Sequence, residues 1–152
     1  GALVALDPRN GEILALVSAP AFDPNLFAVG MSTSQYRELS DSLDRPLFNR
    51  ALRGAYPPGS TIKPILALAA LETNTTNLTR KTICHGYFQL PNDDHRYRDW
   101  KPEGHGPVDL HDAIAQSCDV YFYEVSGELG IDNMHDYLSR FGLGTKKRWT
   151  TR

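Results

Sequence analysis

The feature that most constrains this chain is the run "YPPGSTIKPILALAALE" at residues 56–72. Two prolines followed by glycine cannot continue a helix or sit in a central strand, so an element boundary falls there. The apolar run that follows has the length of a helix. Pro64 fits that helix only in its first turn, where no intrahelical N–H is missed. The spacing therefore predicts a helix from Thr61 to about Glu72, with Ser60 at or beside its start. Residues three apart share a helix face, so the Lys63 amine comes within reach of the Ser60 hydroxyl. A serine hydroxyl is a weak nucleophile until a base takes its proton. The partial positive charge of a helix start and burial behind an apolar run both disfavour a second cation, which suits a lysine acting as that base. The unpaired N–H groups of the same helix start can stabilise an oxyanion. Ser-x-x-Lys is also a common accident, and a capping serine beside a solvated lysine is the plainer reading of the spacing alone.

The rest of the chain reads as α+β. Around Asp7-Pro8-Arg9-Asn10-Gly11, two strand-like runs near Ala2–Leu6 and Glu12–Ser18 alternate apolar and polar residues, and Asn-Gly ends a hairpin turn. "APAFDPNLF" reads as a loop. "STSQYRELSDS" reads as a short helix capped by Ser32, Thr33 or Ser34. "RPLFNRALRGAYPPG" reads as small turns, and residues 83–109 as short strands and loops. "DLHDAIAQSCDVYFYEVSGELG" predicts two helices with a break near Ser117, and "IDNMHDYLSRFGLG" one more.

The formal net charge is −2, so no general electrostatic case exists for nucleic-acid binding. No apolar run approaches the length of a membrane span. The opening "GALVALDPRNG" shows no leader and reads like the middle of a longer protein. The two cysteines, Cys84 and Cys118, allow buried thiols, one disulfide or a metal site. Cys84, Asp99, His105 and Cys118 are all zinc-binding residue types, and four of them would close a tetrahedral structural site. Their spacing matches no finger or ribbon pattern, and His85 is an alternative to Cys84.

"NRALRGAYPPGSTIKP" closely resembles the active-site segment of the class B penicillin-binding transpeptidases. "LDPRNGEILALVSAPAFDPNLF" resembles the segment that precedes it, and "RYRDWKPEGHG" is most similar to the penicillin-binding protein 2 branch, which serves cell elongation. The resemblance implies the penicillin-binding transpeptidase (serine β-lactamase-like) fold, an antiparallel sheet flanked by helices. It implies Ser60 as acylated nucleophile and Lys63 as its activating partner. Ser117-Cys118-Asp119 stands where the family carries Ser-x-Asn, with the Asp that this branch uses. Ser117 is then expected to share the proton network between Lys63 and the departing amine. Asp119 is expected to hold Lys63 or the substrate amide. Read without the family, Ser117 and Asp119 are helix caps.

The branch also carries zinc near the active serine. The resemblance places Asp99, His105 and Cys118 on ligand positions and Cys84 where some members have Asp. A Cys84–Cys118 disulfide is the competing reading in an oxidising periplasm. The family's Lys-Thr-Gly motif, which binds the substrate carboxylate, is not in the 152 residues. Residues 1–144 are therefore expected to be a partial transpeptidase domain and 145–152 a non-family tail, with absent or weak turnover in isolation. The resemblance further implies peptidoglycan stem peptides as substrates and β-lactam antibiotics as trapping ligands. It implies elongation-machinery membrane proteins as partners, and a periplasmic location anchored to the inner membrane in the full-length parent. Two rivals stand beside this reading: a β-lactam sensor of the same fold, and a truncated, non-catalytic fragment held by zinc.

Overall fold

The computed structural model describes residues 1–145; the basic run Lys146-Lys147-Arg148 lies outside the described residues. The chain forms two compact units, Gly1–Pro57 and the residues from Pro58 on.

The first unit opens with antiparallel strands β1 (Ala2–Leu6) and β2 (Ile13–Ser18), paired from Ala2↔Ser18 to Leu6↔Ile13 with an irregularity after Ala5. The turn closes as its residues dictate. Gly11 takes φ +78°, and its N–H reaches the Asp7 carbonyl at 2.8 Å. The Asp7 carboxylate accepts from the Arg9 backbone and guanidinium. The expected one-sided alternation is not realised. Leu3, Leu6, Ile13 and Leu14 are each more than half exposed, so apolar side chains stand on both faces, the pattern of strands suited to coverage on two sides.

"APAFDPNLF", expected to be a loop, contains the one-turn helix α1 (Asn25–Val29); the Asp23 carboxylate accepts the Asn25 N–H at 2.9 Å and starts the turn. Helix α2 (Thr33–Ser40) is capped by Ser32, whose hydroxyl accepts from the Gln35 N–H while Gln35 Oε1 accepts from the Ser32 N–H. A second single turn, α3 (Arg50–Arg53), replaces the expected small turns because Asn49 caps it through Leu52 N.

In the second unit a 3-10 turn at Gly59–Ile62 runs into α4 (Lys63–Glu72), with Pro64 in the first turn as its missing N–H requires. Strands β3 (Thr82–Cys84), β4 (Tyr87–Gln89), β5 (Arg96–Arg98) and β6 (Gly106–Val108) form two further antiparallel pairs, β3 with β6 and β4 with β5. Antiparallel pairing holds throughout, as three two-stranded pairs among the described residues. Helices α5 (Leu110–Ala115), α6 (Asp119–Leu129) and α7 (Ile131–Arg140) complete the unit. Leu66, Ala70, Val108, Ala113, Tyr121 and Val125 form the core, so α4 and α6 pack through their apolar faces. The buried Tyr121 hydroxyl pairs with Thr76 Oγ1 at 3.0 Å. No described helix is long and apolar enough to cross a membrane.

Candidate active site

Helix α5 ends in a Schellman motif. The Cys118 N–H reaches the Ala113 carbonyl at 2.9 Å and the Ser117 N–H reaches Ile114 at 3.2 Å. The motif needs a left-handed residue at the position Ser117 occupies, usually glycine, and Ser117 adopts φ +54° there. The chain then reverses into α6, whose N-cap residue is Cys118. Cysteine makes no side-chain cap bond here; the carboxylate of Asp99, at the end of β5, caps the helix instead. Asp99 Oδ2 accepts from Asp119 N at 2.8 Å and Val120 N at 3.2 Å. Burial alone would raise the Asp99 carboxyl, but the N–H groups of Lys101, Val120 and Asp119 and the Cys118 thiol together hold it below its ordinary value.

This construction brings Ser117 beneath the head of α4. Lys63 is buried, and its Nζ donates to the Ser117 carbonyl at 2.8 Å, to Ser117 Oγ at 3.0 Å and to Asp119 Oδ1 at 2.6 Å. Ser117 Oγ donates in turn to Ser60 Oγ at 3.0 Å. The route from Lys63 to Ser60, expected from spacing to be direct, therefore runs through the Ser117 hydroxyl. A hydroxyl both donates and accepts, so this chain can pass a proton either way by rotating its O–H bonds. Asp119 pairs with Lys63. Ser60 and Lys63 line a cleft of about 370 Å³, with Leu66, Phe122, Tyr123 and Met134 as its apolar walls. Helical spacing marks Phe122 and Tyr123 as packing residues; that they also face the cleft depends on how α6 sits against α4.

The four sulfur, nitrogen and oxygen donors also converge. One ligand atom each from Cys84, Asp99, His105 and Cys118 lies within 4.8 Å of every other. Cys84 Sγ is 3.5 Å from His105 Nδ1 and 3.6 Å from Asp99 Oδ2, and His105 Nδ1 is 3.6 Å from Asp99 Oδ1. Zinc bonds of about 2.0–2.3 Å at a tetrahedral angle place donors roughly 3.3–3.8 Å apart. The 3.5 Å between Cys84 Sγ and His105 Nδ1 falls in that range, each of the two Asp99 oxygens lies 3.6 Å from one of them, and the donor set of two thiols, one imidazole and one carboxylate suits the same ion. Both cysteines are free and buried. Burial pushes the Cys118 thiol up to about 12, with the neighbouring Cys84 and Asp99 adding to the rise. The loop geometry depends on two glycines. A Cβ on Gly86 would strike the Pro102 carbonyl and one on Gly104 the Cys84 carbonyl, and both residues have positive φ. His85 was an alternative ligand from sequence; the converging group contains Cys84 instead.

One contact was not legible. The Trp100 indole N–H donates to the Gln116 carbonyl at 2.9 Å, and its ring meets the His105 ring edge-on with centroids 5.3 Å apart. "RYRDW" drew attention to the segment, but nothing local pairs Trp100 with a residue sixteen positions on.

A family model, the penicillin binding protein transpeptidase domain, matches residues 1–150. Peptidoglycan D,D-transpeptidase MrdA of Acinetobacter baumannii is 51% identical over 146 residues, covering 96% of this chain; the chain spans only 22% of that relative's length. Among solved structures, Pseudomonas aeruginosa PBP2 in complex with WCK 5153 superposes with a TM-score of 0.90 at 53% identity, over 96% of this chain and 32% of that one. The Helicobacter pylori complex between PBP2 and MreC gives 0.87 at 35% identity, over 96% and 27%.

Proposed function

The chain belongs to the penicillin binding protein transpeptidase domain family, and we propose that it carries the acyl-transfer residues of a peptidoglycan D,D-transpeptidase of cell elongation. One observation supports this reading above the others: the continuous hydrogen-bonded path from Lys63 through Ser117 to Ser60, opening into a cleft. The 51% identity to a D,D-transpeptidase over nearly the whole chain agrees with it.

In the first step Ser60 Oγ attacks the penultimate carbonyl carbon of a stem peptide ending in D-Ala-D-Ala. Lys63 is the activating base, and the Ser60 proton leaves through the Ser117 hydroxyl. As the tetrahedral intermediate collapses, the C–N bond to terminal D-alanine breaks and its nitrogen takes a proton from the same path. In the second step the amine of a neighbouring stem peptide attacks the ester carbonyl. A new C–N bond forms, the Ser60 C–O bond breaks, and the amine's proton returns to Ser60. Asp119 keeps the Lys63 amine aimed at Ser117 through its 2.6 Å contact. A β-lactam takes the place of D-Ala-D-Ala and leaves Ser60 acylated.

Zinc held by Cys84, Asp99, His105 and Cys118 is the finer reading of the donor cluster. Four protein ligands would leave no open coordination position, so the ion would fix structure. Cys118 separates Ser117 from Asp119, so the ion would lock the turn that carries both. We read residues 1–144 as the domain and 145–152 as a tail, while the family model runs on to residue 150. We extend the reading by kinship to a periplasmic location, an inner-membrane anchor and partners in the elongation machinery. The PBP2–MreC complex of H. pylori supports the last of these.

Intact-protein mass spectrometry after incubation with a β-lactam tests the reading. The expected result is a drug-sized gain, slow but complete, that disappears in Ser60→Ala. A gain that persists in Ser60→Ala, or one that is instead lost only in variants of another serine, removes Ser60 as the nucleophile.

A further inference from the structure

We propose that Trp100 is a positioning residue for the Ser117 relay; this rests on the acyl-transfer reading of Ser60, Ser117 and Lys63. The turn at residues 116–118 is held by a short set of bonds. The Schellman motif satisfies the Ala113 and Ile114 carbonyls. The next two carbonyls that matter flank the left-handed residue. Lys63 Nζ binds that of Ser117, and the Trp100 indole binds that of Gln116. On the far side of the turn, Asp99 takes the Asp119 and Val120 N–H groups. Two consecutive residues, Asp99 and Trp100, thus grip the two sides of the turn that aims Ser117 Oγ at Ser60.

The form of Trp100 suits this role better than a packing role. It is 64% exposed, yet its sole polar atom is committed to a backbone carbonyl. An exposed indole N–H gains little by leaving water unless the acceptor it holds is itself under constraint. Here the acceptor precedes a serine in the left-handed region, where a side chain carries strain that its surroundings must over-determine. Lysine or arginine could donate to the same carbonyl, but on a flexible stem. The planar indole, seated edge-on against buried His105, fixes the donor's direction.

Trp100→Phe keeps an aromatic ring on His105 and deletes the donor. The experiment compares this variant with the unsubstituted chain in three measurements: amide hydrogen exchange by NMR, melting temperature, and the rate of acylation by a fluorescent penicillin. The expected result has Ser117 and Cys118 amides exchanging roughly tenfold faster, with other amides of α5 and α6 unchanged. Acylation falls roughly three- to tenfold, the share of one hydrogen bond expressed in the barrier, while the melting temperature stays close to the parent's. Unchanged exchange at Ser117 and Cys118 overturns the proposal. So does a loss of protection spread through the whole unit with a matching fall in melting temperature, since Trp100 would then act only on stability. If Phe disturbs the packing on His105, 3-benzothienylalanine at position 100 keeps the two-ring shape and removes the N–H alone, and the same outcomes decide. If the unsubstituted chain takes no penicillin, the exchange comparison alone decides whether Trp100 holds the turn.

Discussion

The zinc proposed at the four-donor cluster should stabilise this chain by a few kcal/mol. The perturbation is removal of the ion by a chelator, and separately Cys118→Ser. A ligand present at a hundred times its dissociation constant stabilises the folded state by about 2.7 kcal/mol. The cluster lies wholly in the unit that begins at Pro58. For a unit of that size each kcal/mol moves the melting temperature by about 4–8 °C, so zinc should raise it by roughly 10–20 °C over the chelated protein. Native mass spectrometry should find a single zinc ion per chain, and calorimetry should find the shift. Cys118→Ser should retain little zinc and melt at nearly the same temperature with and without chelator. The Cys118 thiol is pushed up to about 12, so near neutral pH it is protonated before the metal arrives. Binding must release that proton, and apparent affinity should rise with pH and collapse on acidification. The reasoning is refuted if the purified protein holds no zinc and melts at the same temperature with zinc or chelator. A species lighter by a pair of hydrogens and without metal would establish the disulfide instead.

Two further outcomes follow from contacts in the same unit. Tyr121→Phe leaves the buried Thr76 hydroxyl without its partner and should cost about 1–3 kcal/mol in urea unfolding; the double variant with Thr76→Val should cost less than the sum of the singles, and strict additivity would show that the two hydroxyls do not interact. The hydrogen bond from Arg80 holds the Glu128 carboxyl below its ordinary value, so the pair stabilises the folded chain above the unfolded carboxyl range and loses that contribution as pH falls through the depressed folded value. Because Glu128 is half exposed, the gap between the parent and Glu128→Gln should be at most about 1 kcal/mol near pH 7 and should close as pH falls below the unfolded carboxyl range; a gap that widens in acid would contradict the assignment.

What could be read in advance was local. The hairpin turn follows from Asp7 and Gly11, the cap of α2 from Ser32 and Gln35, and the head of α4 from Pro64 and the apolar run behind it. Each of those signals lies within a few residues of its effect. The single-turn helices α1 and α3 were missed because one aspartate and one asparagine decide them, against a background of turn residues. Spacing and residue type raised Ser60, Lys63, Cys84, Asp99, His105 and Cys118, and kinship added Ser117 and Asp119, but the geometry among them is tertiary. No spacing announces that Asp99 caps a helix twenty residues away, that Ser117 stands between Lys63 and Ser60, or that Trp100 donates to Gln116.

The left-handed serine at the end of α5 has a consequence for anyone who would improve this protein. Glycine is what the backbone prefers at that position, and a stability-guided redesign would install it and see a more robust chain. The same change would delete the one hydroxyl that stands between the Lys63 amine and the Ser60 hydroxyl. Robustness and chemistry therefore pull in opposite directions at a single φ angle. A collection of variants selected only for heat resistance would be expected to drift toward glycine there, and each step would empty the space between Lys63 and Ser60.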